Sequence, residues 1–347
     1  MPLTRYTTLR LSDLKLLAHK CGTASSGTKR VLIQRLHDEI AHAASSSAAH
    51  KRVLSIDMGI RNLAYCILDI PAHSGLAKET FAKDKEYVPR ILAWERLAVS
   101  TKPETAEDGK RLKEAFDPAT LSTIAYELLR ESLLKENPTH VLIERQRFRS
   151  MGGSHVLEWT LRVNMFESIL HAVLRTLKGE GGWKGEVVSV APGRVGPFWL
   201  SALDDTKTSK RKAVDIEIEV GTGLKKTRKS ISAKVQNKGI KIDLVRRWLE
   251  AGDIVALGNE GVEKTGKQYI DKWDRGVGRV LGSRNGDKVD TGKLDDLADC
   301  LLQGMAWIKW EHNKRLAMRD GVEQFLDVPV VVGQNAKKNT KRKTMVS

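Results

Sequence analysis

Between Val53 and Asp69 the chain reads VLSIDMGIRNLAYCILD. An apolar run ends on Asp57, a turn passes through Met58-Gly59 and Arg61-Asn62, and a second apolar run extends from Leu63 to Leu68. Short aliphatic and β-branched runs on either side of a glycine-containing turn predict two paired strands. The turn would hold Asp57 beside a residue without Cβ, where a phosphate or a metal ion has room to approach. An aspartate in this place can equally serve the turn alone. Its meaning depends on what else the chain brings to that end of a sheet.

The chain has 347 residues, 41% of them apolar, enough for a substantial core in one large domain or two smaller ones. Lys and Arg number 59 against 43 Asp and Glu, a formal charge of +16. Such a positive field suits a polyanion, and nucleic acid is the default partner. No stretch approaches the roughly 20 apolar residues of a membrane span, so no membrane partner is expected. Cys21, Cys66 and Cys300 are odd in number, far apart and in no CxxC pair. They imply neither a disulfide framework nor a zinc site, and the histidines show no ligand spacing.

Met1 to Arg10 is basic and hydroxyl-rich, with no acid before Asp13, which is how organellar transit segments begin, although here it runs directly into a folded-looking unit. Leu11 to Ile40 reads as a helix opened by Ser12, a break from Gly22 to Gly27, and a second helix from Thr28 carrying Val31, Leu32 and Leu36. The segment LSDLKLLAHKCGTASSGTKRVLIQRL resembles the SAP module, a compact helical DNA-binding motif. That resemblance implies a SAP-like hairpin over residues 1–40. Lys15, Lys20, Lys29, Arg30 and Arg35 would contact phosphates, which position a protein without reading bases. A generic solvated helix pair is the competing reading. Residues 41–50, all Ala, Ser and His, read as a flexible linker.

A main α/β domain is expected over residues 51–310. A third strand is predicted at Arg90 to Val99, and Asp117 to Leu134 has helical periodicity ending at Asn137-Pro138. His140 to Ile143 then forms a short apolar strand closed by Glu144, so that strand, helix and strand make the crossover of a parallel pair. An acid at the carboxyl end of such a strand stands where open α/β sheets place ligands. The following run, Arg145-Gln146-Arg147-Phe148-Arg149, argues for a polyanionic ligand, although Glu144 could merely pair with a neighbouring arginine. A long amphipathic helix is predicted from Val156 to Leu177, and a strand at Val187 to Val190. Residues 204–241, with Lys210, Arg211 and Lys212 among many basic residues, read as an insertion able to lie along a phosphate backbone, or as a solvated loop. Helix resumes over Ile242 to Leu249, and Gly252 to Gly292 reads as loop and short strands. Residues 311–347 are expected as a C-terminal extension with a basic tail. Phe148, Phe198 and Trp199 are candidates for stacking on unpaired bases, with core positions as the competing role.

The third acidic signal is KLDDLADCLLQ, residues 293–303, where Leu294, Leu297 and Leu301 define a buried helical stripe. Asp299 lies three and four residues from Asp296 and Asp295, on the same side of that helix. The first two can complement the helix dipole, but Asp299, in the second turn between leucines, calls for a cation. Strand-borne Asp57, strand-end Glu144 and the helix acids can therefore converge at one sheet edge. Oxygen-only ligands suit Mg²⁺ or Mn²⁺. Two such ions roughly 3.5 to 4 Å apart can activate a water and stabilise both oxygens of an in-line phosphodiester cleavage. No small-molecule cofactor is expected.

Taken together and in this order, IDMGIRNLAY, VLIERQR and KLDDLADCLLQ resemble the motifs of the fungal mitochondrial Holliday-junction resolvases, relatives of bacterial RuvC in the RNase H-like superfamily. The likeness spans about Val53 to Trp310. It implies an RNase H-like mixed sheet flanked by helices and a mitochondrial matrix location. It also implies a homodimer that recognises four-way DNA junctions and nicks two strands symmetrically, leaving 5′-phosphate ends. Asp57, Glu144 and Asp299 are then metal ligands, with Asp296 or Asp295 as the fourth. Arg61, Asn62, Arg145, Gln146, Arg147 and Arg149 join the basic residues named above as candidate DNA contacts. Two other readings compete. DxGxxN at Asp57 to Asn62 also resembles the first phosphate loop of actin-like and sugar-kinase-like ATPases, and charge with the SAP-like unit alone would make a non-enzymatic DNA-binding protein.

Overall fold

The computed structural model describes residues 4–45, 50–70, 88–99, 116–146, 158–207, 233–282 and 292–326. They fall into two compact units, Met1–Ser45 with Glu311–Ser347, and Ser46–Trp310.

The smaller unit holds α1 (Thr4–Thr7), α2 (Leu11–Lys20) and α3 (Lys29–Ser45). Gly22 and Gly27, at φ 65° and 107°, make the break between the two longer helices, a conformation that side chains with a Cβ resist. The unit departs from the expected boundaries at both ends. Residues 41–45, expected as linker, continue α3, because alanine is the strongest helix former and Ala43 is buried. Residues 46–49 lie outside the described residues. Residues 311–326, expected to begin a separate extension, complete this unit's core: Ala317, Val322 and Phe325 pack with Tyr6, Leu14, Leu17, Leu32 and Leu36. A two-helix hairpin has one apolar face and needs a further element to bury it. The tail beyond residue 326 lies outside the described residues.

The larger unit is built on a six-stranded sheet in the order β5-β4-β1-β2-β3-β6. The strands are β1 (Lys51–Asp57), β2 (Leu63–Ile70), β3 (Arg90–Leu97), β4 (His140–Glu144), β5 (Glu186–Val190) and β6 (Ala256–Leu257). β1, β2 and β3 form an antiparallel meander, while β4 and β5 add in parallel on the β1 side. This is the expected RNase H-like mixed sheet, with β6 as a short parallel addition to β3.

Helices cover both faces. On one, α4 (Pro118–Leu128), prolonged by a wider turn at Leu129–Leu133, and α5 (Glu158–Gly179) pack on Leu54, Ile56, Tyr65, Val141 and Ile143. On the other, α6 (Pro192–Lys207), α7 (Ala233–Ala251), α8 (Glu260–Gly282) and α9 (Gly292–Asp320) contribute to a core with Val53, Cys66, Leu68 and Leu142. Strand residues thus alternate between the two cores with the period of the pleat.

Helix α7 takes in residues 233–241 of the supposed basic insertion; Lys210, Arg211 and Lys212 lie outside the described residues. Of the loops and short strands expected over Gly252 to Gly292, β6 is one such strand, but helix α8 takes residues 260–282. Its buried stripe runs through Val262, Gly266 and Tyr269, and the glycine on that stripe disguises its period because Gly266 packs directly on Leu257. Asn259 starts the helix, its side-chain oxygen accepting the Val262 N–H at 3.0 Å. Among the described residues no helix is long and apolar enough to cross a membrane.

Candidate metal centre

Alternation along the strands decides where the acids point. Leu54 and Ile56 of β1 and Val141 and Ile143 of β4 face α4 and α5, whereas Val53 and Leu142 face the α9 side. Asp57 and Glu144, in phase with Val53 and Leu142, therefore also face α9. The parallel register Ile56↔Ile143 sets the two acids side by side where the neighbouring strands end. The two carboxyl groups lie close enough that the charge of Glu144 acts directly on Asp57. Burial first, then the charge of Glu144 and the fields of Asp299 and Asp296, push Asp57 well above the usual carboxylate range.

Helix α9 lies over this pair and carries the other three acids. Asp299 is pushed up to about 6 by burial, against the opposing pull of Lys241, whose Nζ is 2.7 Å from Oδ1. Asp295 is ion-paired with Lys238, and its Oδ1 is buried without a hydrogen-bond partner. Asp296 receives a hydrogen bond from Arg96 Nη1 at 3.2 Å, yet burial still raises its pKa. Each helix acid thus has its own side-chain cation. Nothing in the sequence singles out Lys238, Lys241 or Arg96, because the two lysines belong to a basic stretch that reads as solvated and Arg96 ends an ordinary strand.

Among the described residues, no three acidic, histidine or cysteine side chains are gathered closely enough to hold a metal ion as they stand. The donor set nevertheless fits one. It is oxygen-only, two of its carboxyls oppose one another, one buried oxygen lacks a partner, and lysines supply the positive charge that a hard divalent ion would otherwise bring. Replacing Lys241 by alanine is expected to cost the protein about 1–3 kcal/mol in EDTA, since Asp299 loses a charged hydrogen-bond partner. Added Mg²⁺ should narrow that deficit. A deficit unchanged by Mg²⁺ in thermal melts would mean that no cation reaches Asp299.

The candidate DNA contacts separate into groups. Gln146 Nε2 donates to Glu144 Oε2 at 3.2 Å, and its own N–H donates to Glu167 Oε2 at 3.0 Å, so it orients an acid. Arg61, Asn62 and Arg145 are exposed, with the Arg61 guanidinium 5.1 Å from the Trp159 ring centroid. The space at Gly59 serves the turn itself, since a Cβ there would lie 2.9 Å from the Asn62 carbonyl oxygen. Arg147, Phe148 and Arg149 lie outside the described residues. Phe198 and Trp199 are core residues, packed with Trp310 and Trp248 at centroid distances of 5.6 and 4.8 Å. In the smaller unit Lys15, Lys29 and Arg30 are exposed, whereas Arg35 donates to the Ala24 and Ser26 carbonyls.

The profile of a family described as "Mitochondrial resolvase Ydc2 / RNA splicing MRS1" matches residues 53–316, all of the sheet but the first two residues of β1, together with every acid of the candidate centre. The chain belongs to this family. Within the resolvase family it resembles "Cruciform cutting endonuclease 1, mitochondrial" of Schizosaccharomyces pombe, at 28% identity over 327 residues, covering 92% of this chain and 98% of that protein. The protein of the same name from Saccharomyces cerevisiae is 24% identical over 326 residues, covering 87% of this chain and 82% of the relative. Among solved structures, the yeast mitochondrial Holliday junction resolvase Ydc2 superposes with a TM-score of 0.53 at 24% identity, over 92% of this chain and all of that one. The shared fold is the family's.

Proposed function

We propose that this member of the resolvase family is a structure-selective endonuclease that resolves four-way (Holliday) DNA junctions in mitochondria. The observation that carries the proposal is the Asp57–Glu144 pair at the ends of adjacent parallel strands, facing a helix that bears three more acids. Both relatives carry the word mitochondrial in their names, in keeping with that location. The proposed metal ligands are Asp57, Glu144 and Asp299. The fourth is Asp296 or Asp295: the field of Asp296 reaches Asp57, while Asp295 keeps a buried oxygen without a hydrogen-bond partner.

When bound, two Mg²⁺ or Mn²⁺ ions would activate water and stabilise the attacking and leaving oxygens of an in-line displacement. The chain's own residues prepare the place. Gln146 holds Glu144, the sheet fixes Asp57 beside it, and Lys238 and Lys241 neutralise the helix acids until a cation takes over. Exposed Arg61 and Arg145 flank the acids, where they can meet a phosphate backbone. A homodimer is proposed because paired symmetric nicks in a four-way junction call for two sites related by a twofold axis.

The ATPase reading loses its footing at β4. After that strand, where a second Asp-Gly phosphate loop would belong, stands Glu144-Arg145-Gln146. A non-enzymatic nucleic-acid-binding role is the second reading, since the family description also names RNA splicing. Purified protein with Mg²⁺ is expected to convert an immobile four-way junction into nicked duplexes, to ignore linear duplex of the same sequence, and to stop in EDTA. An intact junction after incubation with Mg²⁺ or Mn²⁺ overturns the proposal.

A further inference from the structure

Helix α9 carries Asp295, Asp299 and Gln303 at four-residue intervals, so the three share one stripe. The last of them is 3% exposed and uncharged. A buried amide must find partners somewhere, and the place it finds them matters here. Gln303 Nε2 donates to Ser55 Oγ at 3.1 Å and to the Ile56 carbonyl at 3.1 Å, using both of its protons. Ser55, itself fully buried, donates its hydroxyl back to the Cys300 carbonyl at 2.8 Å. Helix is tied to strand and strand to helix in one closed loop. Ile56 immediately precedes Asp57, and Cys300 immediately follows Asp299.

The spacing of the two elements makes this loop a register mark. From Gln303 back to Asp299 the helix travels about 6 Å, and from Ser55 to Asp57 the strand advances about 6.6 Å. With Gln303 fixed over Ser55 and Ile56, Asp299 is carried to the level of Asp57. Gly304 keeps the helix close: a Cβ there would lie 2.7 Å from Leu68 Cδ1 and 3.2 Å from Ser55 Cβ. Three other side chains also hold α9 by its carbonyls, Trp94 at Leu297 and Trp199 at Leu302, both at 3.0 Å, and Cys66 Sγ at Cys300 at 3.4 Å. None of the three belongs to β1, the strand that presents Asp57.

We infer that Gln303, acting with Ser55, is a positioning residue that sets the register of α9 against β1 and thereby the spacing of Asp299 from Asp57. This rests on the nuclease reading. Its effect should fall on the acids and leave the DNA-binding surface alone. Gln303→Met keeps the length and apolar bulk of the side chain and removes both donors. The parent and the folded variant are compared by calorimetric Mn²⁺ binding without DNA, by junction binding in EDTA, and by single-turnover cleavage.

Junction binding should stay within about twofold, while Mn²⁺ affinity and cleavage each fall about 10- to 100-fold, the range for residues that orient metal ligands. Ser55→Ala should move both in the same direction by less, and it decides the matter by the same measurements if Gln303→Met does not fold. A parent that binds Mn²⁺ and cleaves, matched within twofold on both by the variant, overturns the inference and leaves the nuclease reading intact. A parent that does neither removes both.

Discussion

Asp57→Asn is expected to reduce junction cleavage by about 10³-fold and, in EDTA, to raise the melting temperature. Both effects come from the same carboxyl. Asp57 is half-buried and lies in the fields of Glu144, Asp299 and Asp296, so its charged form is disfavoured in the folded protein. Asparagine keeps the shape, removes the charge and offers an amide hydrogen toward Glu144. Each kcal/mol recovered in this way should appear as about 2–4 °C for a unit of this size. Cleavage suffers because the side chain across the strand pair from Glu144 no longer attracts a cation. Junction binding should persist or tighten, since a negative charge facing phosphate has gone. Unchanged cleavage would favour the non-enzymatic reading. An unchanged melting temperature would mean that the acids are not strained against one another.

Part of this site is legible in sequence: the glycine-containing turn marks Asp57 and a strand end marks Glu144, and in the structure period-two alternation turns both to one face. Asp299 is marked separately, as a second-turn acid between leucines that needs a cation. The sequence does not identify which cation. Lys238 and Lys241 belong to a stretch that reads as a solvated insertion, and only the packing of α7 brings them to the acids. Helix α8 escaped because Gly266 occupies a buried position where periodicity looks for a large apolar side chain. The 41–50 linker failed in its first half because Ala and Ser read as flexible, whereas α3 runs on to Ser45 and buries Ala43. Residues 311–326 offered no sign of their partner, which lies near the other end of the chain. Local pattern speaks for strands and for charges that oppose folding, whereas long-range docking is settled by surfaces that no single stretch displays.

The acids also set a pH dependence whose sign runs opposite to ordinary acid denaturation. Asp299 has a pKa of about 6 in the folded protein against 3.8 as the ordinary value, and Asp57 and Asp296 are raised as well, burial being the first cause for each. Between the two values for Asp299 the folded state holds a proton that the unfolded chain has released. Its stability contribution therefore falls as pH rises from 3.8 to about 6 and stays low above that. Exposed acids such as Asp117, whose pKa is lowered by its bonds to Thr120, push the other way, so the comparison must isolate the site. In EDTA, the melting temperature of the parent minus that of Asp299→Asn should decline between pH 4 and 6 and then level off. Divalent ions bind the deprotonated acids, and each proton they must displace costs about tenfold in affinity per pH unit below the pKa. Mg²⁺ should accordingly stabilise the parent at pH 8 and do little at pH 5, and the Asp299→Asn variant should show a much weaker gain. A Mg²⁺ effect of equal size at both pH values would mean that the ion binds elsewhere than at these carboxylates.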